Sequence, residues 1–279
     1  MILDAIFILG GVGLAFGILI ALANARLKVW EDPRIGVVTS ILPGANCGAC
    51  GLPGCRSFAE EAVAGHIQVA QCTVANEESR AQIAGYLGVD PGVAVKRVAR
   101  LLCAGGSDVA VQRAEYRGVG TCGAAAAVAG GGKGCTWGCL GLEDCARACD
   151  FDAITMDAYG LPVVDPVKCT ACGDCVDACP KDLFTVMPLD HALLVQCRNL
   201  MEGDEVLEQC RVACTACGKC VQDAADGLIS VASGVAVVDY DLIASAEPGA
   251  VARCPTNAIV WLAGAQFARP SADARSEAA

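Results

Sequence analysis

The sequence predicts an α+β chain: an amino-terminal transmembrane helix, a small helical domain, and two tandem units in which short helices alternate with short strands. Three observations carry that reading. Residues 5–23 form an uncharged apolar run, 20 cysteines fall within 279 residues, and those cysteines recur at short fixed spacings among Gly- and Pro-containing loops. Hydrophobic residues make up 54% of the chain but aromatics only 5%, so the apolar content is mainly Ala, Val, Leu and Cys and the conventional core is thin. A net charge of -11 offers no footprint for a polyanion and argues against a nucleic-acid partner. No G-x-G-x-x-G sits at a strand-to-helix junction and no G-x-S-x-G occurs, which leaves dinucleotide-binding and hydrolase chemistry without support.

A helix over residues 5–23 spans about 28 Å, enough to cross a bilayer. Asp4 precedes the run while Arg26, Lys28 and Arg34 follow it, so the positive-inside rule puts the cysteine-rich bulk in the cytoplasm. A cleaved signal peptide fits less well, because the amino end carries no Lys or Arg, although Ala21-Leu-Ala23 and Ala23-Asn-Ala25 resemble cleavage sites. Gly13, Gly17, Ala21 and Ala25 share one face, smooth enough for another membrane helix to approach.

A cytoplasmic location disfavours disulfides and turns attention to metal. Cys169, Cys172, Cys175 and Cys179-Pro180 have the spacing C-x2-C-x2-C-x3-C-P, the bacterial ferredoxin run, in which three thiolates hold one [4Fe-4S] cluster and the fourth reaches a second. A zinc ribbon would need two C-x2-C knuckles further apart. The partner half-motif is Cys135, Cys139, Cys145 and Cys149, with Leu142 where a cysteine is usual. Crossed ligation then groups Cys135, Cys139 and Cys145 with Cys179, and Cys169, Cys172 and Cys175 with Cys149. Ala153–Met156 and Gly160–Asp165 between them read as two short strands around a turn.

Cys214, Cys217 and Cys220 repeat the spacing, but Ala224 replaces the fourth cysteine, and Cys254-Pro255 is preceded by Ala244, Glu247 and Ala250 at the corresponding offsets. The four gaps are the ligands of one cluster, and Cys214, Cys217, Cys220 and Cys254 are those of the other, so the second unit has lost a whole cluster. Nearer the membrane, Cys47, Cys50 and Cys55 share one Gly/Pro-rich loop and Cys72 follows a helical stretch, Arg56–Ile67, which describes a separate helical cluster domain. Cys103, Cys122, Cys197 and Cys210 remain. A fifth cluster, substitute ligands and small buried hydrophobes are all open readings for them. Cys103 and Cys197 each end an apolar stretch, and Cys210 lies four residues before Cys214 as Cys135 lies four before Cys139, so the two halves look like repeats.

The expected organisation is an anchor at 1–25, a helical cluster domain at 35–100, a Gly/Ala-rich connector at 104–134 (short helix or flexible hinge), a two-cluster ferredoxin-like unit at 135–190, a one-cluster unit at 191–262 and a disordered tail at 263–279. His66 and His191 read as structural, the acidic stretch Glu202–Glu208 as a solvated helix face, and Arg147, Lys168, Lys181 and Lys219 as ordinary solvated charges near the thiols. No residue is an evident acid, base or nucleophile. The chemistry indicated is one-electron relay through about four [4Fe-4S] clusters.

The anchor, the segment Leu42-Pro-Gly-Ala-Asn-Cys-Gly-Ala-Cys-Gly-Leu-Pro-Gly-Cys55, the ferredoxin pairs, Tyr116–Cys122, Gly131–Gly141 and Cys254-Pro-Thr-Asn-Ala-Ile259 together resemble the B subunit of the Rnf electron transport complex in its longer, cluster-rich form. The resemblance implies an electron-transfer component of an ion-translocating ferredoxin:NAD oxidoreductase in the inner (cytoplasmic) membrane. It also implies soluble ferredoxin, flavin-containing subunits and integral membrane subunits as partners. The chain departs from that pattern at Asp150, where proline is usual, and in its missing final cluster. The competing readings are a membrane-anchored polyferredoxin serving a separate reductase and a zinc-binding structural protein.

Overall fold

The computed structural model describes residues 2–27 and 31–267, so residues 268–279 of the expected tail lie outside the described residues. Helix α1 (Ile2–Leu27) contains an apolar stretch, Phe7–Leu27, of mean hydropathy 2.2, none of which is buried against the other described residues. It is the one helix among the described residues long and apolar enough to cross a membrane.

Three further helices make a small domain. Helix α2 (Pro33–Ile41) begins where Asp32 accepts the Arg34 N–H at 2.9 Å and Pro33 supplies a preset φ. Helix α3 (Cys55–Ala64) stops at Gly65, whose φ of 78° is left-handed. Helix α4 (Glu77–Leu87) is capped by Asn76, which accepts from Ser79 N at 2.7 Å, and ends at the left-handed Gly88. Val38, Phe58, Val69 and Ile83 meet in its core, each at most 1% exposed. Burying each such side chain contributes about 1.5–3 kcal/mol.

The rest of the chain is two copies of one plan. In the first, β1 (Arg97–Leu101) pairs antiparallel with β4 (Phe184–Pro188), enclosing helix α5 (Cys122–Ala127), the single turn α6 (Asp144–Arg147), the hairpin β2 (Ile154–Met156) and β3 (Pro162–Val164), and the turn α7 (Asp174–Asp177). In the second, β5 (Leu193–Val195) pairs antiparallel with β8 (Ile259–Trp261) around helix α8 (Lys219–Asp223) and the hairpin β6 (Ile229–Ala232) and β7 (Val235–Val238). Equivalent bonds extend each closure: Leu102 N donates to Leu183 O and Gln196 N to Ala258 O, both at 2.7 Å.

This moves two expected boundaries. The first unit starts at Arg97, not at 135, and the helical domain ends before it, because the apolar stretch 98–102 is a strand that finds its partner after the last ferredoxin cysteine. The connector is not a free hinge either. Thr121 caps α5 by accepting from Ala124 N at 3.2 Å, Val111 N donates to Gln209 O at 2.9 Å, and Ala110 and Gln112 bridge to Cys210 and Lys133. Gly132 ends the turn after α5 with a φ of 82°, where an added Cβ would collide with the Ala114 carbonyl. Among the structural readings, His191 stacks on Tyr240 with ring centroids 5.4 Å apart, and exposed His66 pairs with Glu61. The acidic stretch forms a 3-10 turn, Asp204–Glu208, whose Val206 is buried.

The expected tail is ordered at its start. Because Leu102 bonds to β4, the polar groups of Leu101 point away from it. Gln266 fills that edge, its Oε1 accepting from Leu101 N at 2.9 Å and its Nε2 donating to Leu101 O at 2.6 Å, and is itself 2% exposed. Arg100 Nη1 donates to Gly264 O at 2.7 Å, which ties the same strap down. Gln266→Ala should orphan both Leu101 groups at a cost of about 1–3 kcal/mol each. The expected outcome is a melting temperature lower by several degrees, read by circular dichroism on the cluster-loaded protein; an unchanged value would show that the strap holds nothing.

Candidate metal centres

Cys47, Cys50, Cys55 and Cys72 line one recess of about 340 Å³ walled by Leu42 and Phe58. The loop is shaped by Asn46, whose Oδ1 accepts from Cys55 N at 2.8 Å, and by Gly54, where a Cβ would come within 2.9 Å of that same oxygen. Residues 69–71 then form a 3-10 turn that returns Cys72, whose thiol burial pushes up.

In the first unit, Cys149, Cys169, Cys172 and Cys175 line a recess of about 320 Å³. Backbone amides point at their sulfurs: Ala153 N lies 3.4 Å from Cys149 Sγ and Ala99 N 3.5 Å from Cys169 Sγ. Burial, reinforced by neighbouring thiols, pushes Cys175 up to about 12. Arg100 is 2% exposed and burial pulls its pKa down, with the Cys169 thiolate the first opposing influence. Its Nε and Nη2 lack hydrogen-bond partners, so a buried cation stands beside a site that an anionic cluster would complement.

In the second unit, Cys214, Cys217, Cys220 and Cys254 line a recess of about 380 Å³. Burial pushes Cys220 up to about 11. Cys254 is partly buried, which raises its thiol, but the amides of Ile259, Thr256 and Ala258 and the Thr256 hydroxyl outweigh that and hold it below the ordinary value. Such N–H groups aimed at sulfur are the usual means by which a protein stabilises a reduced cluster.

The remaining expected set is rearranged. Burial, with Cys122 and Cys179 as the next influences, pushes Cys145 up to about 12, and burial likewise takes Cys139 to about 12. Cys145 thus has both Cys122 and Cys179 as electrostatic neighbours. Cys135 lines a separate recess of about 340 Å³ with Cys103, Cys197 and Cys210. Local bonds explain the exchange. Gly134 N donates to Val111 O at 2.8 Å and Gly138 N to Cys135 O at 3.1 Å, turning the loop toward the second unit. Meanwhile Gly123 N donates to Asp144 Oδ2 at 3.0 Å and Arg147 Nη1 to Gly120 O at 2.8 Å, pinning Cys122 against α6. Arg147 thus holds connector backbone, and Lys181 Nζ donates to Thr136 O at 3.0 Å, next to Cys135, so neither is merely solvated. The vacancy at Leu142 was the sequence signal: matching the two cysteine patterns pairs Cys103 with Cys197 and Cys135 with Cys210, and leaves Cys122 without a counterpart.

Among the described residues no group of three or more His, Cys, Asp or Glu side chains could hold a single metal ion. Zinc, with Zn–S bonds of about 2.3 Å, draws its sulfurs to within about 4 Å of one another. Thiols spread around a recess suit the corners of a polynuclear cluster instead.

A family model described as "Putative Fe-S cluster" matches residues 42–74, and one described as "4Fe-4S dicluster domain" matches residues 134–183. The chain is 44% identical to the B subunit of the Na(+)-translocating ferredoxin:NAD(+) oxidoreductase complex of Acetobacterium woodii, over 92% of this chain and 77% of that one. It is 36% identical to the B subunit of the ion-translocating oxidoreductase complex of Methanosarcina acetivorans, over 93% and 98%. With the B subunit of the proton-translocating ferredoxin:NAD(+) oxidoreductase complex of Clostridium ljungdahlii it shares 35% identity over 89% and 88%. On these grounds the chain belongs to the family of B subunits of Rnf-type ion-translocating oxidoreductase complexes.

Proposed function

We propose that this chain is the iron-sulfur relay of a membrane-bound, ion-translocating ferredoxin:NAD oxidoreductase, carrying electrons between soluble ferredoxin and the flavin-containing and integral membrane subunits of the complex. The observation that supports it most directly is the convergence of thiols from separate segments on recesses of like size. In this reading Cys47, Cys50, Cys55 and Cys72 hold one [4Fe-4S] cluster, Cys149, Cys169, Cys172 and Cys175 a second, Cys214, Cys217, Cys220 and Cys254 a third, and Cys122, Cys139, Cys145 and Cys179 a fourth. When bound, each cluster supplies a one-electron couple that changes little in shape. The chain's own part is to exclude water, aim N–H groups at sulfur and, through Arg100, place a buried positive charge that favours the reduced state beside Cys169. The anchor Phe7–Leu27 crosses the membrane once with the cluster domains on the cytoplasmic side, supported by Arg26 in its last turn. Membership of a family of multi-subunit complexes favours this reading over a free polyferredoxin.

Anaerobically purified protein should contain iron and acid-labile sulfide in equal amounts and give cluster EPR signals on reduction. Zinc without sulfide would overturn the relay. Cys122→Ala and Cys214→Ala should each remove about four irons. Full iron content in the Cys122 variant would return Cys135 to the set of Cys139, Cys145 and Cys179.

Protons compete with iron for the thiolates, and the competition is set by thiols that burial raises to about 11 or 12 when no metal is bound. Their protonated form is favoured throughout the neutral range, so lowering the pH strengthens the competitor. Iron release to a chelator should therefore accelerate from about pH 8 to pH 6. A rate that is flat or falls over that interval would contradict it.

A further inference from the structure

We propose that Cys103, Cys135, Cys197 and Cys210 form a fifth [4Fe-4S] site, shared between the two ferredoxin-like units with two thiolates from each. The proposal rests on the iron-sulfur reading above and extends it to four thiols that the ferredoxin motifs leave aside or assign elsewhere. All four are free thiols and line one recess. Its volume of about 340 Å³ falls within the range of the other three thiol-lined recesses, about 320–380 Å³.

The site has the internal symmetry of the duplication. Cys103 lies two residues beyond β1 and Cys197 two beyond β5, while Cys135 and Cys210 each lie four residues before the first cysteine of their unit's cluster motif. The bonds repeat with the positions. Cys139 N donates to Cys103 Sγ and Cys214 N to Cys197 Sγ, both at 3.4 Å, and Gly138 N to Cys135 O and Ala213 N to Cys210 O, both at 3.1 Å. Each unit thus presents the same two thiols in the same local frame. The units meet there through Ala104 N, which donates to Gln196 O at 3.0 Å, and through the bridge from Ala110 to Cys210.

The chemistry of the lining suits a thiolate cluster. Lys133 lines the recess and no carboxylate does; Arg198 borders it as an exposed residue whose guanidinium donates to Asp182 O at 3.1 Å. Lys133 is held in place by the carbonyls of Gly105 and Cys139, and Asn199 Nδ2 donates to Cys197 Sγ at 3.4 Å. Four thiols serving only as small hydrophobes would have no use for a tethered cation and an amide. Gly105 completes the cradle: a Cβ there would stand 3.2 Å from Cys210 Sγ and 3.6 Å from Cys103 Sγ, inside the space the sulfurs surround. The cluster would crosslink the units and carry one electron from a cluster of one unit to that of the other, with no bond to ligands made or broken.

Two measurements on the full-length, detergent-solubilised protein test this. Anaerobic native mass spectrometry of the unaltered chain should show five clusters. Four clusters would overturn the fifth site while leaving the relay intact, and none would overturn the relay itself. Cys135→Ala and Cys197→Ala should each remove about four irons, and the double variant no more than either single, because the two residues serve one cluster. Cys122→Ala combined with Cys197→Ala should remove about eight, since these belong to different clusters. Equal and additive losses for Cys135 and Cys197 would overturn the shared site, and the mass of the unaltered chain decides the matter should a variant fail to fold.

Discussion

The pairing of β1 with β4, repeated as β5 with β8, is the constraint from which the rest of the cysteine-rich region follows. It joins residues 97–101 to 184–188 and so closes a loop containing all ten cysteines from Cys103 to Cys179. The inner edge of β1 bonds to β4. Its outer edge is left to meet other partners: Ala99 N reaches the Cys169 sulfur, Leu101 is bonded through both its polar groups by Gln266, and the strand's end delivers Cys103 to the face where the second unit packs. One strand therefore serves a cluster of its own unit, the carboxy-terminal strap and the contact between units. A short edge strand with unpaired groups invites association, and here these outward groups have an intramolecular use.

Packing and redox chemistry draw on the same atoms. The main buried cluster of the first unit contains Val98, Leu101, Leu161, Leu183 and Phe184, but also Cys103, Cys145, Cys169 and Cys175, with Cys139, Cys149 and Cys179 at its margin. A chain with few aromatics fills its interior with sulfur, and metal ligation ties together short loops that apolar burial alone would hold weakly. The coupling has an electrostatic side. The low-polarity surroundings that raise the free thiols also magnify the effect of every amide and of buried Arg100 on a bound cluster, so packing changes near β1 reach potentials as well as stability.

Cysteines at fixed local spacing come together in the structure. The loop Leu42–Cys55 and the runs beginning at Cys169 and Cys214 each place their thiols on one recess, because one tight turn determines all three positions. The hairpin expected over 153–165 is present as β2 and β3. Spacing says less where a cysteine's surroundings are fixed by a bond distant in sequence. Cys135 could not be separated from Cys139 by spacing, since its direction depends on Val111 and on the second unit. Cys122 looked like a leftover because Asp144 and Arg147, which pin its helix, lie more than twenty residues downstream. The strand 97–101 was visible as an apolar stretch, but only its partner at 184–188 makes it part of the ferredoxin-like unit.

Where the first unit has Cys149, Cys169, Cys172 and Cys175, the second unit is packed without thiols. Ala224, Ala244, Glu247 and Ala250 occupy the positions matching Cys149, Cys169, Cys172 and Cys175 of the first unit. Ala250 is 1% exposed, much as Cys175 is 6%, so its backbone still turns inward where a thiolate would have stood. The volume is taken up by the chain itself: residues 248–251 form a 3-10 turn packed on α8, and Ala224, Ala246 and Val251 close around Ala250. Arg253 pairs with Asp223 at 2.6 Å across the same contact, but that pair is open to solvent, which screens it. Apolar collapse, not charge, replaces the metal crosslink. In the proposed relay the quartet ending in Cys254 is the last within this chain, and an electron arriving there from the proposed shared site has to leave for another component of the complex or return.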